Sequence, residues 1–204
     1  MLHASTDQVY SGLVSNSTEQ MEVAPVNVYG KSKAAMEKEL LEHDGKLDHV
    51  IFRLSLIYGP PTAGAHDSFL QFSEKQLTSG KEFVALSDEI RSAIAVTDVV
   101  KMFLFFLARP DLGGVYNAGG PADISRSEFV YEVAKSRGLD ASNMKPVTRA
   151  NCTEPWATAN PSPPDISLDM TKLTKVMGER TLMLAEAVPT FDALDVVSKF
   201  KSEL

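Results

Sequence analysis

Tyr29 and Lys33 stand four residues apart in Tyr29-Gly30-Lys31-Ser32-Lys33. On a helix this spacing places both side chains on one face, one turn apart. A free phenol has a pKa of about 10 and exchanges protons poorly at neutral pH, whereas an adjacent ammonium favours the phenolate and lowers that value. The pair can then serve as general acid or base for a carbonyl and its alcohol. Earlier in the chain, Ser5-Thr6 supplies two hydroxyls at the end of an apolar run. Thr6, or Ser5 beside it, can donate a hydrogen bond to a carbonyl oxygen as negative charge builds there. The competing reading is an amphipathic helix whose tyrosine packs and whose lysine is solvated, so the elements that carry these residues must decide.

Those elements read as strand, helix, strand. Met1 to Ala4 looks like the end of a buried strand, and Pro25 precedes a helix from about Val28 to His43. His49 to Leu54 is a continuous apolar run bounded by Gly45 and by Gly59-Pro60-Pro61, the pattern of a parallel strand buried on both faces. Such a crossover unit belongs to a doubly wound sheet, where ligands sit outside the carboxyl ends of the strands. Ser5-Thr6 and Tyr58-Gly59-Pro60 fall at those ends. The expected fold is α/β: the C-terminal part of a Rossmann-like doubly wound parallel sheet over residues 1–60, and a small mixed α/β substrate lobe over 61–204, with some segments returning to the main sheet.

Within the second part, the pattern predicts a helix over Asp67–Ser79 and short strands at Phe83–Leu86 and Ser92–Val96. A helix over Thr97–Ala108, capped by Thr97 or Asp98, precedes a strand at Val115–Ala118. Ser125 and Glu128 form a capping-box pattern for a helix to Arg137, which Gly138 stops. Pro155, Pro161, Pro163 and Pro164 prevent regular structure throughout Cys152–Ile166, read as an ordered loop on the ligand side. Trp156 in that loop can stack on a base or sugar, or anchor the loop. Helices over Asp169–Val176 and Thr190–Lys199 close the chain.

The balance of 20 basic and 27 acidic residues gives a formal charge of -7, which argues against a nucleic-acid or anionic-membrane surface. The most apolar stretch, Val99 to Ala108, falls far short of the roughly 20 residues that span a bilayer. It is expected to be a buried helix. One cysteine, Cys152, permits no internal disulfide, and the histidines show no ligand spacing, so no metal site is expected and the cytoplasm is the default compartment.

Ser5-Thr6-Asp7-Gln8-Val9-Tyr10 resembles the Ser-Thr-Asp-x-Val-Phe/Tyr element of the dTDP-4-dehydrorhamnose reductase-like branch of the extended short-chain dehydrogenase/reductase superfamily. Pro25-Val26-Asn27-Val28-Tyr29-Gly30-Lys31-Ser32-Lys33 is similar to that branch's catalytic helix, Pro-x-Asn-x-Tyr-Gly-Lys-Thr/Ser-Lys. Phe52 to Gly59 looks like the next strand and its nicotinamide-facing exit loop, and Arg91 to Asp98 resembles the Arg-x4-Val-x-Asp element of sugar-nucleotide members. The resemblance implies Thr6, Tyr29 and Lys33 as catalytic residues. It implies Tyr29, Lys33 and Tyr58 at an NADP or NAD cofactor, and Ser5, Thr6 and Arg91 at a sugar-nucleotide substrate.

For Arg91 a phosphate contact and a surface pair with Asp88 or Glu89 stand side by side, and Asp98 is expected to be a helix cap. Leu56 occupies the place where bacterial rhamnose-forming members carry a tryptophan, which leaves the sugar open. The implied activity is reduction of a 4-keto sugar nucleotide, as in dTDP-rhamnose biosynthesis. The alternative is a regulatory role resembling the beta subunit of methionine adenosyltransferase, acting through that partner enzyme; a homodimer is the other assembly expected. No Gly-x-x-Gly-x-x-Gly turn stands before Ser5, so the cofactor pyrophosphate site is missing from the sequence. The expectation is a chain truncated at its amino end that, as written, binds NADPH poorly or not at all.

Overall fold

Val50 to Leu54 is buried at all five positions, which requires strand neighbours on both sides and cover on both faces. The computed structural model describes residues 1–42, 49–61, 66–159 and 162–193. Its elements run β1 (Leu2–Thr6), α1 (Val28–Glu42), β2 (Val50–Leu54), β3 (Ile57–Tyr58), α2 (Phe69–Thr78), β4 (Phe83–Leu86), β5 (Ile90–Arg91) and β6 (Ile94–Ala95). There follow α3 (Val96–Leu107), β7 (Gly114–Ala118), β8 (Ile124–Ser125), α4 (Arg126–Arg137), β9 (Met144–Val147), α5 (Pro155–Ala159), α6 (Thr171–Met177) and α7 (Leu184–Ala187). The architecture is α/β with parallel pairing, as the sequence pattern predicts.

β2 lies between β1 and β7, parallel to both. Thr6 pairs with Leu54 and Leu54 with Ala118, so the three strands end level with one another. That common carboxyl edge is where a doubly wound sheet places its ligand. Three two-stranded ladders complete the strand set: β3 with β6 and β4 with β9, both parallel, and β5 antiparallel to β8.

Phe52 on β2 meets Phe106 edge-on at 5.0 Å between ring centres and Phe103 at 5.1 Å, which seats α3 against the sheet. A second core gathers around Tyr58, Leu70, Phe129 and Val133. The apolar run in α3 is amphipathic: Met102 and Phe106 are buried while Leu104 and Leu107 are exposed. Among the described residues no helix is long and apolar enough to cross a membrane.

Most boundaries follow local signals. Ser125 caps α4 with Glu128 as the reciprocal partner, and Gly138 closes it at φ 66°. The cap expected for α3 is different. The residue before the helix is Ala95, and Asp98 sits inside the first turn, buried, accepting a hydrogen bond from the Leu182 backbone N–H at 2.7 Å. A distant segment thus takes the carboxylate that the helix start would otherwise use. Of the short strand expected over Ser92–Val96 only Ile94–Ala95 forms, as β6; β5 precedes that range and joins a different ladder, and Val96 already opens α3. Within the proline-rich stretch, α5 forms one short helical turn set, with Pro155 at its first position, where no N–H is needed. The helix expected over Thr190–Lys199 lies largely outside the described residues.

Candidate active site

The approach of α1 to the end of β1 is set by three small contacts. Asn27, just before the helix, accepts from the Gly30 N–H through its side-chain oxygen at 2.8 Å and donates from Nδ2 to Gln8 Oε1 at 2.7 Å. Gly30 is buried, and a Cβ there would run into the Gln8 carbonyl oxygen and Pro25. Glycine between Tyr29 and Lys31 therefore lets the first turn of α1 lie directly on the loop that follows β1. One turn on, the Lys33 Nζ donates to the Ala4 carbonyl at 2.8 Å and lies 5.9 Å from the centre of the Tyr29 ring. Tyr29 and Lys33 thus share one face, over the carboxyl end of β1.

A cavity of about 330 Å³ opens at this edge, lined among others by Thr6, Asp7, Tyr29, Lys33, Leu56 and Arg126. Tyr29 is 50% exposed, so its phenol is accessible to a ligand. Thr6 is buried, donates from Oγ1 to Asp7 Oδ1 at 3.1 Å, and accepts from the Gln8 N–H at 3.3 Å. To polarise a ligand carbonyl, its single proton has to turn away from Asp7, a rotation about one bond. Leu56 lies on the cavity wall.

Ser5 also lines the cavity, but its hydroxyl is committed elsewhere. It donates to Glu37 Oε1, and Glu37 in turn receives Arg53 through Nη2 at 2.8 Å and Nε at 3.1 Å. Glu37 and Arg53 are 2% and 3% exposed. Arg53 Nη1 continues to the Tyr10 hydroxyl at 2.8 Å, and that hydroxyl donates to Asn117 Oδ1 at 2.8 Å. Glu37 follows Lys33 by one turn, so helix α1 grips β1 and β2 through a buried polar chain below the residues that face the cavity.

Asp7 was not among the expected site residues. It is buried, it accepts from Ser55 Oγ at 2.8 Å as well as from Thr6, and burial pushes its carboxyl pKa above the ordinary value, with Arg91 acting in the opposite direction. A carboxyl whose folded pKa exceeds its unfolded one binds more protons folded than unfolded between the two values, so stability falls as pH rises through that window. Asp7→Asn is therefore expected to raise the melting temperature at pH 7. The gain should shrink as pH falls and vanish below about 4, where the folded and unfolded wild type both hold the proton. Thermal unfolding of the two proteins at several pH values checks this, and a gain independent of pH would contradict it.

Tyr58 and Arg91, the other expected site residues, are both buried. Tyr58 is fully buried, edge-on to Phe129 at 5.4 Å and Phe191 at 6.1 Å. Burial first, then the nearby Asp98 and Glu186 charges, raise its phenol further above the ordinary range. Its side chain is a core element. Arg91 borders the cavity but is 3% exposed. Its Nη1 donates to the carbonyls of Ile90 and Pro164 at 2.6 and 3.3 Å, and its Nη2 donates to Ser162 Oγ and the Pro163 carbonyl at 2.7 and 2.9 Å. With Glu89 at 3.2 Å as well, its terminal nitrogens have no spare donor. The proline-rich segment uses this arginine as its anchor.

A second cavity of about 370 Å³ is walled by Phe69, Phe72, Leu86 and Trp156, with Arg126 and Arg149 on its border. Trp156 is half exposed there, so it borders open space more than it pins the loop. Phe69 and Phe72 stack at 5.7 Å with 18° between their planes. This geometry offers flat apolar surface beside guanidinium groups.

Comparison with known proteins gives the chain its context. Residues 1–193 match the family model described as RmlD substrate binding domain. The chain is 26% identical over 186 residues to methionine adenosyltransferase 2 subunit beta of Xenopus tropicalis, an alignment covering 89% of this chain and 54% of that protein. It is 31% identical over 150 residues to dTDP-4-dehydrorhamnose reductase of Shigella flexneri, covering 69% and 48%. The chain thus spans about half the length of these curated relatives. A solved dTDP-4-dehydrorhamnose reductase from Bacillus anthracis, in complex with NADP, superposes with a TM-score of 0.80 at 23% identity, over 94% of this chain and 64% of that one. With the strand, helix and strand of the candidate site inside the matched segment, the chain belongs to the RmlD substrate binding domain family.

Proposed function

We propose that the whole protein reduces a 4-keto sugar nucleotide with NADPH or NADH, and that Tyr29, Lys33 and Thr6 carry the proton side of the reaction. The observation that supports this most is the convergence of an accessible phenol, an ammonium and a hydroxyl on one cavity at the carboxyl edge of a parallel sheet. Lys33 uses one donor on Ala4, and its remaining N–H groups suit the hydroxyls of a cofactor ribose. The nicotinamide cofactor, when bound, supplies hydride to the carbonyl carbon. Tyr29 delivers a proton to the carbonyl oxygen, and Thr6 hydrogen-bonds the same oxygen as its charge develops. Lys33, held by β1, keeps positive charge beside Tyr29 while the proton leaves.

NADPH consumption that requires a 4-keto-6-deoxy sugar nucleotide, measured on the full-length protein, is the expected result. No consumption across dTDP-, UDP- and GDP-linked 4-keto sugars would overturn the reading. The longer alignment to methionine adenosyltransferase 2 subunit beta supports a second reading, regulation of a partner enzyme. Co-purification with a methionine adenosyltransferase, together with a change in that enzyme's kinetics and no reductase activity, would favour it.

A further inference from the structure

The two cavities have one basic side chain in common whose hydrogen-bonding capacity is unspent. Arg126 borders both the cavity that holds Tyr29 and Thr6 and the one walled by Phe69, Phe72 and Trp156. Its Nε donates to Glu89 Oε1 at 2.9 Å, and its guanidinium lies over the Phe69 ring at 4.6 Å. Its two terminal nitrogens have no partner among the described residues, in contrast to the saturated Arg91.

Glu89 explains how the guanidinium is held. This carboxylate is 5% exposed and meets Arg91, Arg126 and Arg149 together. Burial opposes its charge, but Arg126 and then Arg91 outweigh that and lower its pKa. Three guanidinium groups face this one buried glutamate, while Asp7 lies near Arg91 and Arg126 and Asp88 accepts from the Arg149 backbone N–H. Arg149 commits one N–H of each terminal nitrogen, Nη1 to the Ala157 carbonyl and Nη2 to Glu89, so among these three arginines only Arg126 keeps both terminal nitrogens unbonded among the described residues. That planar fork matches the paired oxygens of a phosphate. Arg126 is also the first residue of α4, where the helix dipole disfavours a cation. The Glu89 pair is what keeps it there.

We infer that Arg126, held by Glu89 and stacked on Phe69, is the residue that binds the diphosphate of a nucleotide ligand running from the Tyr29 cavity to the aromatic cavity. Arg91 instead secures the proline-rich segment. The inference rests on the sugar-nucleotide reading for its ligand class but not on the reductase chemistry.

The test is calorimetric titration of the chain with thymidine 5′-diphosphate and with inorganic pyrophosphate, at low and moderate salt. Wild type is expected to bind both. Arg126→Gln should weaken both by roughly ten- to a hundredfold, the loss of charge-assisted hydrogen bonds, and Arg126→Lys should restore part of the affinity. Because Glu89 keeps Arg91 and Arg149 in Arg126→Gln, the variant should fold, with a circular dichroism spectrum like that of wild type. A purely structural Arg126 would lower the melting temperature without changing either affinity, and that outcome overturns the inference. Absence of binding by wild type at millimolar ligand overturns it too. Diphosphate binding that depends on Arg126, in a protein that reduces no keto sugar, would leave this inference standing and remove only the reductase reading.

Discussion

Tyr29→Phe in the full-length protein is expected to lower turnover of an accepted keto sugar nucleotide by about 10²- to 10⁴-fold while changing ligand affinity little. The substitution removes one oxygen and keeps the ring. Tyr29 is half exposed, so little packing depends on that oxygen, and the helix start is secured by Asn27 and Gly30 instead. The lost group is the proton donor, which matters in the transition state far more than in the bound ground state. The expected signature is a fall in kcat with KM nearly unchanged, measured by NADPH absorbance. Normal turnover by the phenylalanine variant would remove Tyr29 from the mechanism and, with it, the proposed chemistry.

The second large effect concerns stability. Glu37→Ala should cost about 3–5 kcal/mol, because it leaves Arg53 buried without its carboxylate. The cost arises from four donor contacts that lose their acceptor together: Ser5 Oγ, Arg53 Nη2 and two contacts from Arg53 Nε. Arg53 keeps Tyr10 and the Glu19 carbonyl as partners, but neither carries a balancing charge. Urea denaturation followed by circular dichroism measures the loss, and a value below about 1 kcal/mol would show that water or a neighbouring group replaces the pair. Replacing both partners by apolar residues of similar volume is expected to cost less than the single change, since no buried charge then remains unpaired. Ser5 and Tyr10 would still lose a partner each, so the double variant is not expected to exceed wild type.

Glu37 also clarifies why the site is placed as it is. Tyr29, Lys33 and Glu37 recur every fourth residue along α1, and each meets something different: the cavity, the Ala4 carbonyl and the buried Arg53. On β1, adjacent residues face opposite sides, so Thr6 turns toward Asp7 and the cavity while Ser5 turns toward Glu37. Both hydroxyls are donated, that of Ser5 to Glu37 inside the helix–sheet contact and that of Thr6 to Asp7 at the cavity, and this difference supports Thr6 in the proposed role.

What can be read from the chain alone follows short-range physics. The spacing of Tyr29 and Lys33, the continuous apolar run that becomes β2, the Ser125–Glu128 capping box and the Gly138 stop depend on residues within a few positions of one another. They determine which elements form and which side chains share a face. Tertiary structure alone decided where the ends of those elements point. Tyr58 reads as an exit-loop residue until Phe129 and Phe191 close around it. For Arg91 the sequence leaves a phosphate contact and a pair with Asp88 or Glu89 side by side; the fold adds the Glu89 pair and the carbonyls of Pro163 and Pro164, more than seventy positions on.

Arg126 left only a faint local trace, a cation in the first turn of a helix, against the dipole. Its reason is Glu89, 37 residues earlier. Periodicity determines a residue's face but not its partners, and a charged group's role is set by the partners that have already used its hydrogen bonds.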